Sequence, residues 1–181
     1  MSNDIVFEPV HRQLNALTRG DYSVRELTAA YLDRIDRFDS QLNAFVTVFR
    51  DEALQAAESA DQQRMAGNVL GTLHGIPFGL KDIIEVEGQP AGWGCHALGE
   101  RVSPLSATVV ERLTASGAIL LGKTQSVEFA LGGWGTTQHC GTPWNPWDLK
   151  AHRVPGGSSS CSGVAVAAGA IAPSLKMSCE K

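Results

Sequence analysis

The chain has 181 residues, enough for a single domain with a sizeable buried core. Its formal net charge is −4 and no block of like charge occurs, which argues against a nucleic-acid footprint or an anionic-membrane patch. The opening MSNDIVFEPVHRQ is acidic, without a cationic stretch leading into an apolar one, and no apolar run approaches bilayer length, so neither a secretory signal nor a membrane span is expected.

In chain order, the first third reads as helical. PVHRQLNALTRG places Val10, Leu14 and Leu17 on one face, with Pro9 at an early position and Gly20 as a stop. SVRELTAAYLDRIDRF opens with Ser23-x-x-Glu26, a capping box, and then repeats Leu27, Tyr31, Ile35 and Phe38 at helical spacing. The extended run FVTVF (45–49) separates this helix from a third, DEALQAAESADQQRMAG. The pattern changes at Gly71: GTLHGIPFGLKDII and GAILLGKT are short, apolar and bounded by glycine, as buried strands are. Between them SATVVERLTASG (106–117) predicts a helix capped by Ser106, with Val109, Val110 and Leu113 buried and Gly117 as its stop. Strand, helix, strand at this spacing predicts a right-handed crossover in an α/β sheet. Residues 132–163 are a long irregular stretch, and a loop of that length inside a compact domain is usually functional.

The cysteines, Cys95, Cys140, Cys161 and Cys179, form no C-x-x-C pair, which fits a reducing, cytoplasmic setting better than a disulfide framework. Cys95-His96 and His139-Cys140 contain four side chains of zinc-binding type. Adjacent residues on an extended chain point opposite ways, so ordinary thiols beside partly buried histidines are expected there, and no metal.

The chemistry gathers in PGGSSSCSGVAVAAG. Gly156-Gly157-Ser158-Ser159-Ser160 runs straight into small apolar residues suited to a closely packed helix. Glycines ahead of a helix N-terminus expose backbone amides, so the segment fits a structural turn, an anion cradle or a nucleophilic serine, and the local residues do not choose among them. A reactive serine needs a base. His152 lies close in sequence, and Lys81 in IPFGLK is the other candidate. Strand alternation places Ile76, Phe78 and Leu80 on one face and Pro77, Gly79 and Lys81 on the other. Small neighbours leave Lys81 room to turn inward, where burial disfavours its charged form; the alternative is an ordinary solvated lysine.

Four co-linear blocks, LHGIPFGLKDI, SATVVERLTASGAILLGKTQSVEFALGG, GTPWNPWD and PGGSSSCSGVAVAAG, resemble the amidase signature family over residues 8–175. The resemblance implies an α/β fold, a mixed β-sheet flanked by helices with an N-terminal helical segment, of which this chain holds the N-terminal portion only. Residues 1–70 would be a mainly helical lead-in, 71–175 the signature core and 176–181 a divergent tail, all parts of one incomplete domain. The resemblance also implies amide hydrolysis or transfer by a serine–serine–lysine triad. The family's lysine falls on Lys81, and its bridging serine, held by a non-proline cis peptide, on Ser158. Neutral Lys81 would accept a proton from Ser158, and Ser158 one from a serine attacking the amide carbonyl. The implied substrate is a small-molecule amide, and no cofactor is implied.

Two departures stand out. The family's nucleophile lies in a block close to Asp-Thr-Gly-Gly-Ser, which would start at Ser178 and whose serine would fall one position beyond Lys181; the chain reads PSLKMSCEK instead. Ser174, Ser178 and Cys179 sit on no glycine turn that would present a nucleophile, so a truncated or frame-shifted chain, inactive as it stands, is expected. Cys161 stands where the family has glycine, which implies either a strained loop or a reactive thiol at a helix N-terminus. Three readings follow: an amidase, the glutaminase subunit of a tRNA-dependent amidotransferase, or a non-catalytic pseudoenzyme. The corresponding partners are amidotransferase subunits or a second copy in a homo-oligomer, with no direct nucleic-acid contact and no membrane. Trp93, Trp134, Trp144 and Trp147 either line an aromatic acyl pocket or anchor their loops to the core.

Overall fold

The computed structural model describes residues 5–172 and the backbone of 174–175. Ser178 and Cys179 lie outside the described residues, as does the side chain of Ser174.

Helix α1 (Val10–Arg19) ends where Gly20 turns left-handed (φ 76°) and its N–H closes on the Ala16 and Leu17 carbonyls. Helix α2 (Val24–Leu42) begins at the expected capping box. Ser23 Oγ accepts the Glu26 N–H at 3.0 Å, and the Glu26 carboxylate accepts the Ser23 N–H at 2.8 Å. The helix continues past Phe38 until Asn43 adopts a left-handed φ of 52°, and the Asp39 carboxylate takes up the Ala44 N–H at 2.7 Å just beyond that end.

Ser23→Ala is expected to cost about 1 kcal/mol in urea unfolding at pH 7. The Ser23 backbone N–H, and then its hydroxyl, hold the Glu26 carboxyl below its ordinary value. A lowered carboxyl stabilises the fold above its unfolded value and loses that contribution as pH falls, so the gap between variant and wild type narrows in acid.

After β1 (Phe45–Val48) and α3 (Arg50–Met65), the chain forms β2 (Pro77–Lys81), α4 (Thr108–Ala115), β3 (Ile119–Thr124), α5 (Ser160–Ala167) and the two-residue β4 (Ser174–Leu175). The sheet order is β1-β3-β2-β4; β1 runs antiparallel to β3, while β2 is parallel to both β3 and β4. The sheet is therefore mixed, as the family resemblance implied. Of GTLHGIPFGLKDII only the central five residues are strand. A Cβ at Gly122 would lie 2.3 Å from the Thr47 carbonyl oxygen, so only glycine lets β1 approach β3 this closely.

The main core joins Leu17, Leu27, Tyr31, Ile35, Val164 and Ile171 from α1, α2, α5 and the segment after α5. Phe78 and Leu80 pack in a second cluster with Ile84, Val110 and Ala118, which leaves β2 buried on both faces. Helix α4 corrects two expectations. Its N-cap is Ala107, because the Ser106 hydroxyl is taken by the Glu87 N–H at 2.9 Å. Of its three expected core residues only Val110 is fully buried; Val109 and Leu113 reach the edge of the small cluster. Among the described residues no helix is long and apolar enough to cross a membrane.

Candidate active site

Strand β2 ends on Lys81, whose side chain is fully buried, 0 % exposed. Its Nζ lies 2.9 Å from Ser158 Oγ, 77 residues later in the chain. Gly79 makes room on the same face: a Cβ there would already be 3.0 Å from the Ile171 side chain. The Gly157–Ser158 peptide is cis.

Of the two glycines ahead of the serines, Gly156 has open space around it and a left-handed φ of 86°, and Gly157 has a packing reason. A Cβ at Gly157 would stand 2.6 Å from the Gly132 carbonyl oxygen and 2.7 Å from Gly133 Cα, so two loops meet backbone to backbone beside Ser158. Behind them, Thr124 donates to the Leu80 carbonyl at 3.2 Å, which leaves the Ser162 hydroxyl to donate to Thr124 at 2.8 Å. That bond ties the first turn of α5 to the ends of β2 and β3. Ser160 donates to the Gly156 carbonyl across the loop. The Ser159 hydroxyl is buried with no hydrogen-bond partner among the described residues. Of the three consecutive serines, Ser158 is the one placed against Lys81.

The alternative base, His152, is exposed and packs edge-on against Trp144 at 4.6 Å. Cys161 lies in the first turn of α5 with helical backbone, so it does not strain the loop. Burial, with smaller contributions from Asp39 and Cys140, pushes its thiol up to about 12 against an opposing effect of Lys81. The expectation of a reactive thiol is therefore corrected: the thiolate that reacts is suppressed. Alkylation at pH 8 should label the half-buried Cys95 and Cys140 in the native chain and leave Cys161 unmodified until denaturant is added, as read by peptide mass spectrometry.

The two Cys/His pairs do meet. The His96 and His139 rings stack at 4.6 Å, and all four residues line one cavity of about 140 Å³. Among the described residues no group of three or more His, Cys, Asp or Glu side chains is arranged to hold a metal. The tryptophans divide. Trp93 donates to Glu85 at 3.1 Å beneath Arg101, and Trp144 packs on the main core, so both anchor loops. Trp134 and Trp147 are 72 % and 85 % exposed.

Sequence reasoning missed a second buried lysine. Lys123 Nζ sits 3.0 Å from the Asp82 carboxylate and donates to the Pro90 carbonyl at 2.6 Å, with the side chains of Lys123 and Asp82 0 % and 5 % exposed. The available signal was charge set inside two apolar runs, Lys81 and Asp82 in GLKDII and Lys123 in LLGKT.

Comparison with known proteins bears on this geometry. The family model described as Amidase matches residues 26–175. The A-type subunit of the glutamyl-tRNA(Gln) amidotransferase of Alcanivorax borkumensis is 46 % identical over 147 residues, 79 % of this chain and 30 % of that protein. The solved structure of a peptide amidase from Stenotrophomonas maltophilia superposes with a TM-score of 0.81 at 36 % identity, covering 90 % of this chain and 34 % of its own. A chain from a vestigial protein complex that reveals the origins of an s-triazine catabolic enzyme superposes with a TM-score of 0.86 at 32 % identity, covering 91 % and 36 %. The chain spans about a third of the length of the curated relatives it matches.

Proposed function

Because the chain belongs to the amidase signature family, we propose that it carries two members of an amide-cleaving relay, with Lys81 as base and Ser158 as bridge. The observation that supports this reading is the 2.9 Å approach of Nζ of the fully buried Lys81 to Oγ of the half-buried Ser158. Burial disfavours an ammonium, and in this reading it is the neutral form of the amine that accepts a proton. It takes one from Ser158 as Ser158 takes one from the attacking serine. That serine bonds to the amide carbonyl carbon; the relay then returns a proton to the nitrogen as the C–N bond breaks. Water hydrolyses the acyl-enzyme by the same route. In this reading the attacking serine and the oxyanion donors come from a region downstream of these 181 residues, and the chain alone does not turn over.

For the whole protein, we place the glutaminase subunit of a tRNA-dependent amidotransferase ahead of a free-standing amidase. Identities of 41–47 % to glutamyl-tRNA(Gln) amidotransferase subunits support this order, against 27–36 % to the solved amidase structures. The amide is then that of glutamine, the setting is cytoplasmic, and the released ammonia passes to partner subunits.

The test compares the 181-residue chain with a fusion of residues 1–175 to the downstream two-thirds of the Alcanivorax borkumensis relative. The fusion should release ammonia from glutamine and co-purify with the relative's partner subunits, while the short chain does neither. A fusion that cleaves aryl or peptide amides but not glutamine would favour the free-standing amidase. Appreciable cleavage by the short chain would contradict the relay assigned here.

A further inference from the structure

We propose that the buried Asp82–Lys123 pair is a positioning device for the Ser158 segment, acting from the opposite face of the sheet. Lys123 is level with Leu80 in the β2–β3 ladder, and Thr124 with Lys81. Thr124 faces α5 through Ser162, so Lys123 points the other way, away from the Lys81 side. A cation buried there needs full compensation. It finds the Asp82 carboxylate and the Pro90 carbonyl, and Asp82 in turn accepts the Gly94 N–H at 3.3 Å. The pair thus pins the loop after β2 at two points, Pro90 and Gly94.

From Gly94 the contacts run back to the serine segment. Gly94 is left-handed (φ 68°), and a Cβ there would lie 2.3 Å from the Ser126 carbonyl oxygen, so this loop is pressed onto the chain leaving β3. The Trp93 carbonyl accepts the Phe129 N–H at 2.9 Å. Phe129 and Ala130 both hold left-handed backbones (φ 48° and 58°), a conformation that non-glycine residues keep only where surrounding contacts enforce it. Two residues on, Gly132 and Gly133 press their backbone against Gly157, and a Cβ at Gly135 would lie 2.8 Å from Ser160 Oγ. The ion pair fixes the 90–94 loop, that loop enforces the turn at 129–130, and the turn presents the wall on which Gly157–Ser158 rests. Only the catalytic consequence depends on the proposed roles of Lys81 and Ser158; the mechanical coupling does not.

Amide hydrogen exchange on the 181-residue chain tests the coupling. In the wild type the Gly94 and Phe129 amides should open as one unit, with the same opening free energy. Lys123→Met should speed exchange at Phe129 and Leu131, whose N–H groups bond to Trp93 and Glu128, about tenfold or more while Tyr31 and Leu32 in α2 keep their protection, because the variant strands a buried carboxylate. Asp82→Asn, close in shape, should do the same to a smaller extent, and the double variant should be no faster than Lys123→Met alone. The Lys81 side-chain NMR signal should move in Lys123→Met, a response that a pair serving only its own loop would not produce. Faster exchange confined to residues 89–95, or spread evenly over the chain, with an unmoved Lys81 signal, would overturn the proposal. If Lys123→Met does not fold, independent opening of Gly94 and Phe129 in the wild type overturns it equally.

Discussion

Lys81→Met, introduced into the fusion that carries the family's downstream region, should lower the rate of amide cleavage by about 10³-fold or more, because it removes the base from the relay. Methionine fills most of the volume of a side chain that is wholly buried, so the fold should survive and circular dichroism should be unchanged. Ser158→Ala should cost a similar factor, since it interrupts the only proton route assigned between Lys81 and the attacking serine. The loss belongs in kcat, with KM little altered. The double variant should be scarcely worse than either single one, as groups that act in one relay are not additive. Two losses that multiply would mean that Lys81 and Ser158 act separately.

The largest effect on stability is expected at Tyr31. Its ring is fully buried in the main core; its hydroxyl donates to the Val6 carbonyl at 3.1 Å and accepts from Gln13 Nε2 at 2.7 Å. Tyr31→Ala opens a ring-sized cavity and strands the Val6 carbonyl, while Gln13 Nε2 keeps the Ile5 and Glu8 carbonyls at 3.0 Å, for a cost of about 3–5 kcal/mol. That is a large share of the stability of an ordinary domain, so much of the variant should be unfolded at 37 °C. Tyr31→Phe keeps the ring and loses only the hydroxyl contacts, for about 1–2 kcal/mol. Burial pushes the phenol up to about 12, with the Gln13 hydrogen bond opposing. A raised phenol favours the folded state below its unfolded value near 10 and loses nothing there. Above that, the unfolded chain ionises first, so wild-type stability should fall between pH 10 and 12 and the Tyr31→Phe variant should lack this part of the fall.

How much was legible depended on whether a feature was local. The Ser23–Glu26 box, the Gly20 stop and the periodicity of Leu27, Tyr31 and Ile35 are set by residues within a turn or two, and the structure has them as read. Ser106 looked equally like a cap, but its hydroxyl is claimed by Glu87, a contact that no window around α4 contains. Small neighbours left room for Lys81 to turn inward but did not choose that over an ordinary solvated lysine, and its meeting with Ser158 was not readable from them. Residue chemistry left His152 open as a base, and only the resemblance across four blocks paired positions so far apart. The Asp82–Lys123 pair went unread because nothing local joins two charges 41 residues apart in the sequence, each set in its own apolar run. Burial on both faces of β2, a property of the assembled sheet, makes them interior. Cys161 was left open between a strained loop and a reactive thiol; its surroundings, which are tertiary, push the thiol up to about 12.

The central claim concerns one amine beneath one hydroxyl, and lysine side-chain NMR on the 181-residue chain reads it without any turnover. With ¹³C-labelled lysine, the Lys81 Cε signal should titrate well below the ordinary lysine value of about 10.4, and its midpoint should move in Ser158→Ala. A Lys81 signal that titrates together with the surface lysines and ignores the loss of the Ser158 hydroxyl would contradict the account.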